Sequence, residues 1–391
     1  MAAAPFLAQA LVRDPAWASE AASLFAWVFA TIGWQVAASL IGGVLVGYQR
    51  LAEFRLASGC WQLIRGVGVI VFMRAHASLG WVGLWWFAGS VGLAAHALWL
   101  WRRYVPIHWR WVRPAGNAVR MLWGVALPLQ INRMGGAMLG QVDKFVLAVW
   151  LGATAAGAYE LAARLAGLVT LMPGLMLAAV APAVAAMGRE DRRTQRVVIV
   201  SSRYLHLAVF PLAAFLWTEA APILHAWVGE TDKAVIAAAR VLVLAFALLA
   251  VQQPLANTLI GIGKERIVLR FSLLVVLLNL PMSIALVARF GLLGAAWATA
   301  LVVALAAASF FAVALRSSAL PWRAWAEAWW RPALALVPMI AWAQTWPEAR
   351  SWADIAGAFA SGVAIYLAAA WFARAITVQD WRMIRAALEK R

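Results

Sequence analysis

Apolar stretches long enough to cross a lipid bilayer recur along almost the whole of this chain, and that recurrence restricts its fold more than any motif does. A hydrocarbon core about 30 Å thick is crossed by roughly 20 helical residues. Inside lipid the backbone N–H and C=O groups have no water to bond, so a crossing segment is a helix or a strand of a closed barrel. Barrel strands alternate polar and apolar side chains, whereas these stretches are apolar throughout. The chain is 65% hydrophobic and only 13% charged, against about a quarter charged in a soluble domain. The sequence therefore predicts an all-α polytopic membrane protein and excludes a soluble fold.

About eleven spans are expected, near residues 22–48, 56–74, 79–101, 121–150, 156–186, 197–218, 234–260, 267–288, 291–315, 332–346 and 354–376. The fourth and fifth are long and carry polar residues; the tenth is short. Pro128, Pro173, Pro211, Pro254 and Pro281 fall inside spans and mark expected kinks. The net charge of +17 would suggest nucleic acid in a soluble protein. Here the cations collect in alternate loops, so topogenesis explains them and no nucleic-acid partner is expected. One side holds Arg50, Arg55, Arg102, Arg103, Arg110, Arg113, Arg120, Arg189, Arg192, Arg193, Arg196, Lys264, Arg266, Arg316, Arg323, Arg331 and the tail cations from Arg374 to Arg391. The other holds only Arg13, Arg74, Lys233, Arg289 and Arg350. This bias puts the C-terminus in the cytoplasm and, with an odd span count, the N-terminus outside. Met1 to Ala10 has no basic n-region, so no cleavable signal is read there. The single cysteine, Cys60, excludes an internal disulfide and a Cys-based metal site.

The chain also repeats itself at an offset of roughly 211–217 residues. Gly47-Tyr-Gln-Arg50 recurs as Gly261-Ile-Gly-Lys264, each ending a span. Gly80-Trp-Val-Gly83 recurs as Gly291-Leu-Leu-Gly294, each opening one. Ala4-Pro5-Phe6-Leu7 recurs as Ala221-Pro222-Ile223-Leu224. Both copies have the same expected orientation, so the repeat is parallel, and such repeats enclose a substrate cavity between two lobes. Three regions follow: a partial N-terminal lobe of three helices over 1–118, a C-terminal lobe of six over 119–318, and a terminal helix pair with a cytoplasmic tail over 319–391. The counterpart of residue 119 would lie about 95 residues before Met1. The expectation is a first lobe lacking its first three helices, through truncation, a misassigned start or natural reduction.

Asp143-Lys-Phe-Val-Leu-Ala-Val-Trp-Leu-Gly152, then Ala156-Gly-Ala-Tyr159-Glu-Leu-Ala162, then Pro173 and Pro182, resemble the oligosaccharide flippase (Wzx-like) branch of the multidrug/oligosaccharidyl-lipid/polysaccharide exporter superfamily. The openings at Gly80 and Gly291 fit that family's sixth and twelfth helices. The resemblance covers essentially the whole chain. It implies fourteen helices in two six-helix lobes plus a terminal pair, of which this chain supplies the fourth to the fourteenth. It also implies alternating access and translocation of undecaprenyl-diphosphate-linked oligosaccharide to the periplasmic face of the inner membrane. The partners it implies are the lipid-linked oligosaccharide, membrane lipids, and a polysaccharide polymerase and glycosyltransferases. It implies no cofactor. In the family the first two helices line the cavity with the seventh and eighth, so this chain supplies half a cavity wall.

Charges within spans are costly and are therefore candidates for function. Arg133 has no partner near in sequence, and its planar fork suits a diphosphate; the alternative is a buried backbone carbonyl. On one helix Asp143 lies about 15 Å from Arg133, so the two do not pair. Asp143 is open to bonding the neighbouring turn or Arg164, or to coupling to a cation or proton. Glu160 and Arg164 share a helix face, either as a self-neutralising pair or with Glu160 restraining Arg164 until substrate arrives. Lys144 points about 100° away from Asp143 and is free to snorkel. Arg65 sits mid-span, facing a cavity or a helix contact. Gln130, Asn132, Gln141, Gln252, Gln253, Asn257 and Asn279 suit interhelical hydrogen bonds, with sugar contacts open to Gln130, Asn132 and Gln252. The Trp residues near span ends form an aromatic belt.

No phosphate-binding glycine loop, metal cluster or Ser-His-Asp set occurs in the sequence, so no enzyme is expected. A cation-coupled drug exporter of the same fold is the alternative. Its cavity would be acidic, whereas Arg133, Lys144 and Arg164 outnumber Asp143 and Glu160. An inactive truncated paralogue is the third reading.

Overall fold

The computed structural model describes residues 15–48, 50–105, 116–117, 120, 123, 140–177, 180, 184, 192–229, 231–317, 322–346 and 351–376. Among them every regular element is helical. The chain divides into two compact units, Met1–Gly116 and Asn117–Arg391.

The first unit contains α1 (Pro15–Gly47), α2 (Leu51–Arg74) and α3 (Leu79–Tyr104), with α3 packed along both others. Glycines set that packing. A Cβ on Gly92 would lie 2.2 Å from the Trp61 ring, one on Gly89 2.4 Å from Arg65 Cγ, and one on Gly68 1.8 Å from Trp85 Nε1. The order of these pairs makes α2 and α3 antiparallel, with large side chains seated in glycine gaps. Gly83 does the same for α1, where a Cβ would sit 3.0 Å from that of Trp27. In lipid, close backbone approach through small residues replaces the hydrophobic drive that packs soluble helices. Glu20 of α1 accepts a hydrogen bond from the Leu79 N–H at 3.2 Å, putting a carboxylate at the N-terminus of α3.

In the second unit residues 140–151 are helical (α4). They are followed by α5 (Ala153–Gly167), a 3-10 turn over Leu168–Thr170, and α6 (Leu171–Met176). Then come α7 (Arg192–Thr218), α8 (Ala220–Val228), α9 (Lys233–Gly261), α10 (Glu265–Ser317), α11 (Trp322–Leu334), α12 (Leu336–Thr345) and α13 (Trp352–Phe372). The apolar helix α9 is central, packing on α5, α7 and α10, while α11 covers α7 and α12 lies on α13. Arg240 of α9 donates to the carbonyls of Trp217 at 3.1 Å and Thr218 at 3.5 Å, capping the end of α7. Beside it Glu219 is buried between α7 and α8. Burial raises its carboxyl above the ordinary value, and the charge of Arg240 pulls the other way.

Seven of the described helices are long and apolar enough to cross a membrane, and α10 alone spans 53 residues. The eighth and ninth expected spans are the two arms of α10. Gly291 interrupts it with φ 58° and ψ −135°, a conformation that side chains rarely adopt. A Cβ on Gly294 would lie 2.1 Å from the Leu286 carbonyl oxygen, so the returning arm passes backbone against backbone. These two contacts explain the Gly-Leu-Leu-Gly opening read from the sequence. The tenth expected span is two helices meeting at Ala335, and α11 begins ten residues before the expected edge at 332. Hydropathy excluded that first part because it carries Arg323, Glu327 and Arg331. Glu327 and Arg331 form an i, i+4 pair at 3.2 Å that supports the helix.

The two copies of the span-ending motif close with the same bond. The Arg50 N–H donates to the Leu45 carbonyl at 2.8 Å, and the Lys264 N–H to the Leu259 carbonyl at 2.7 Å. Both leucines are fully buried.

Candidate functional site

Asp143 projects from α4 into the second unit and is 1% exposed. Four side chains donate to it. Asn279 Nδ2, at 2.9 Å, and Ser283 Oγ serve Oδ1; Tyr159 Oη, at 2.8 Å, and Thr299 Oγ1 serve Oδ2. Asn279 Oδ1 also lies 3.4 Å from Thr299 Oγ1. Three elements converge here. Tyr159 comes from α5, Asn279 and Ser283 lie one turn apart on the first arm of α10, and Thr299 lies on its second arm. The break at Gly291 is what lets one helix present both arms to one carboxylate. All four donors are at most 2% exposed, so water does not stand in for Asp143 as their acceptor in this low-dielectric interior.

One position further along both helices, Lys144 of α4 and Glu160 of α5 form an ion pair. Glu160 Oε1 also takes Arg164 Nε at 2.8 Å. Glu160 therefore holds two cations, one on each oxygen, and the cluster keeps a net positive charge. Its members differ in exposure: the side chains of Lys144 and Glu160 are about a quarter exposed, whereas that of Arg164 is 67% exposed. The Arg164 head is thus left uncovered by the described residues, so an anionic ligand can reach it.

The remaining expected residues fall elsewhere. Arg133, Gln130 and Asn132 lie outside the described residues. Arg65 is 6% exposed in the first unit, with its stem against Gly89. Its head sits 4.9 Å above the Trp86 ring, and it donates to Ser90 Oγ at 3.3 Å and the Trp61 carbonyl at 3.4 Å. Of the two uses open to Arg65, this geometry is that of a helix contact. Gln252 donates to the Leu248 carbonyl at 3.2 Å and lines a cavity of about 580 Å³ in the second unit.

Sequence reasoning paired Glu160 with Arg164, which the structure brings together, and left Asp143 open to Arg164, which it does not. It missed the Lys144–Glu160 pair, and it missed Ser283 and Thr299 altogether. The sequence marks Asn279 as an interhelical bonding group but does not name its partner. The available signal was the Asn279-x-x-x-Ser283 spacing, which puts two polar groups on one face of an otherwise apolar span.

In sequence, a family model described as polysaccharide biosynthesis protein matches residues 45–237. No curated protein matches. Among solved structures, one titled lipid II flippase MurJ, inward closed conformation, superposes with a TM-score of 0.66 at 12% identity. The match covers 92% of this chain and 75% of that one. This polytopic helical protein thus shares the fold of that solved lipid II flippase and, across residues 45–237, resembles the polysaccharide biosynthesis protein family in sequence.

Proposed function

We propose that the protein translocates a lipid-linked saccharide, of the undecaprenyl-diphosphate oligosaccharide class, from the cytoplasmic to the periplasmic leaflet of the inner membrane. The observation that carries this reading is the cluster in which Glu160 holds Lys144 and Arg164 one residue away from the buried Asp143. A saccharide headgroup cannot cross hydrocarbon unaided, and its diphosphate is the anion a cationic cluster suits. The diphosphate displaces Glu160 from Arg164, whose fork then takes two phosphate oxygens. Arg133, Gln130 and Asn132 contribute on the same reading, Arg133 as a second phosphate ligand. The cation excess also disfavours the drug-exporter alternative, which calls for an acidic cavity.

Asp143 supplies the coupling. A proton or a monovalent cation on its carboxylate changes what Tyr159, Asn279, Ser283 and Thr299 can bond, and so the relation of α4 and α5 to both arms of α10. A ligand shifts a conformational equilibrium only through different affinities for the two states, and a carboxylate shared by three helices supplies that difference. The charge bias of the loops supports a cytoplasmic C-terminus, with Lys264 and Arg266 on the side where substrate loads.

The test is translocation of a labelled lipid-linked saccharide by the purified protein in vesicles, comparing wild type with Arg133→Ala and Arg164→Ala. Both substitutions are expected to slow it at least about tenfold, the loss of roughly 1.4 kcal/mol of phosphate binding. Transport indifferent to both would remove the phosphate-ligand assignment. Altered drug susceptibility on deletion, with surface polysaccharide intact, would favour the exporter.

A further inference from the structure

The cavity of about 580 Å³ in the second unit lies apart from the charge cluster and differs from it chemically. Its walls are the segment 170–177, the last third of α9, and the two arms of α10. None of the described lining residues is ionisable. Three are amides, Gln252, Gln253 and Asn257, on adjacent turns of α9. Gln252 and Asn257 each spend one N–H on a carbonyl of their own helix, at 3.2 and 2.9 Å. A carbonyl oxygen and a second N–H remain on each for a ligand. The far wall carries Phe271 and Phe310, their rings 5.4 Å apart and nearly perpendicular. Thr170 and Gln253 are exposed, so the cavity opens to the surface.

We propose that this cavity binds the neutral saccharide portion of the transported molecule. The inference rests on the translocation reading and deepens it: the anionic linkage is held by the cations, and the glycan is read by an uncharged pocket. The lining chooses among ligand classes. An anion finds no cation here. A hydrocarbon chain would cover the amides without pairing them, which polar groups in an apolar surrounding resist. A pyranose offers both surfaces the walls present, hydroxyls for the amides and a C–H face for the phenyl rings. The volume lies within the range of small-molecule sites, about 300–1,000 Å³. The cavity also occupies the end of α9 that leads to Lys264, the end that the charge bias assigns to the cytoplasm.

The test has two arms. In the first, Cys60→Ser with Ala256→Cys places one thiol on the cavity wall of the full chain in lipid nanodiscs. Labelling by a small polar maleimide is timed with chitobiose, maltotriose or farnesol present. A neutral sugar at about twice its Kd is expected to slow labelling about threefold, and Gln253→Leu with Asn257→Leu is expected to abolish that protection. Protection by farnesol alone, by nothing, or a thiol that never labels, overturns the proposal. In the second arm, vesicles carry a short-chain polyprenyl diphosphate with or without its sugar. The leucine pair is expected to lower the ratio of sugar-bearing to sugar-free transport about fivefold, and an unmoved ratio overturns the proposal. If wild type moves neither lipid, the translocation reading fails, while the labelling arm still decides whether the cavity takes sugar.

Discussion

Replacing Asp143 by alanine removes the one acceptor that four buried donors share. A stranded buried donor costs about 1–3 kcal/mol, so four would cost about 4–12 kcal/mol if nothing relaxed. Ser283 and Thr299 can relax, because a hydroxyl on a helix can turn to the carbonyl one turn back. Tyr159 and Asn279 have no such local partner, which leaves about 2–6 kcal/mol. Asp143→Asn keeps one oxygen and the shape, and hydroxyls facing its amide can accept instead of donate; its loss is about 1–2 kcal/mol. Thr299→Val deletes one bond with little change in shape, for about 0.5–1.5 kcal/mol. For a unit of this size each kcal/mol moves the midpoint by about 2–4 °C, so Asp143→Ala is expected to melt roughly 4–24 °C below wild type. The assay is thermal challenge of a fluorescent fusion in detergent, read by size-exclusion chromatography. The expected order is wild type, then Thr299→Val and Asp143→Asn close together, then Asp143→Ala well below. If alanine melts no lower than Thr299→Val, the carboxylate does not organise the three helices and the reasoning fails.

At the bend of α10, Gly294→Ala forces a Cβ against the Leu286 backbone and is expected to destabilise by about 3 kcal/mol. Gly33→Ala, with nothing within 4 Å, is its neutral control in the same melt, and equal midpoints would contradict the close approach. Glu160→Gln releases Arg164 and Lys144. It is expected to tighten binding of a sugar-free polyprenyl diphosphate about fivefold, the equivalent of about 1 kcal/mol of competition; calorimetry showing an unchanged Kd would rule out a restraining role. Glu219 carries a pH signature. Its folded pKa is raised by burial, so the folded state holds the proton more tightly, and stability falls as pH rises from the ordinary carboxylate value through the raised one. Glu219→Gln should therefore raise the melting midpoint at neutral pH and leave it unchanged well below the carboxylate range; the opposite pH dependence would mean that the Arg240 attraction dominates.

The helical class and most spans were legible because hydropathy over about 20 residues is a local property that lipid enforces. The α10 bend was half legible: Gly291 and Gly294 stood out as an opening, but the backbone passage at Leu286 is a tertiary fact. The extent of α11 was hidden, because Arg323, Glu327 and Arg331 depress hydropathy without preventing a helix. In the site, Glu160 and Arg164 were readable from a spacing of four. From the sequence Lys144 is only free to snorkel, because its partner sits on another helix. Ser283 and Thr299 escaped because a lone hydroxyl in an apolar span most often bonds its own backbone. Only the arrival of Asp143 from α4, 140 and 156 residues away in sequence, changes their role.

The paired helix endings at Arg50 and Lys264 show how little of a helix stop is written in its side chains. The four-residue segments share only their opening glycine, yet the same main-chain bond reaches back five residues in each, onto a leucine sealed from lipid. Main-chain bonds are indifferent to side-chain identity, so drift can rewrite the letters of such a turn while its geometry persists. The same five-residue bond also closes helices at Ala77, Gly152 and Ala375, so it marks a general way of stopping a membrane helix and says nothing of common descent.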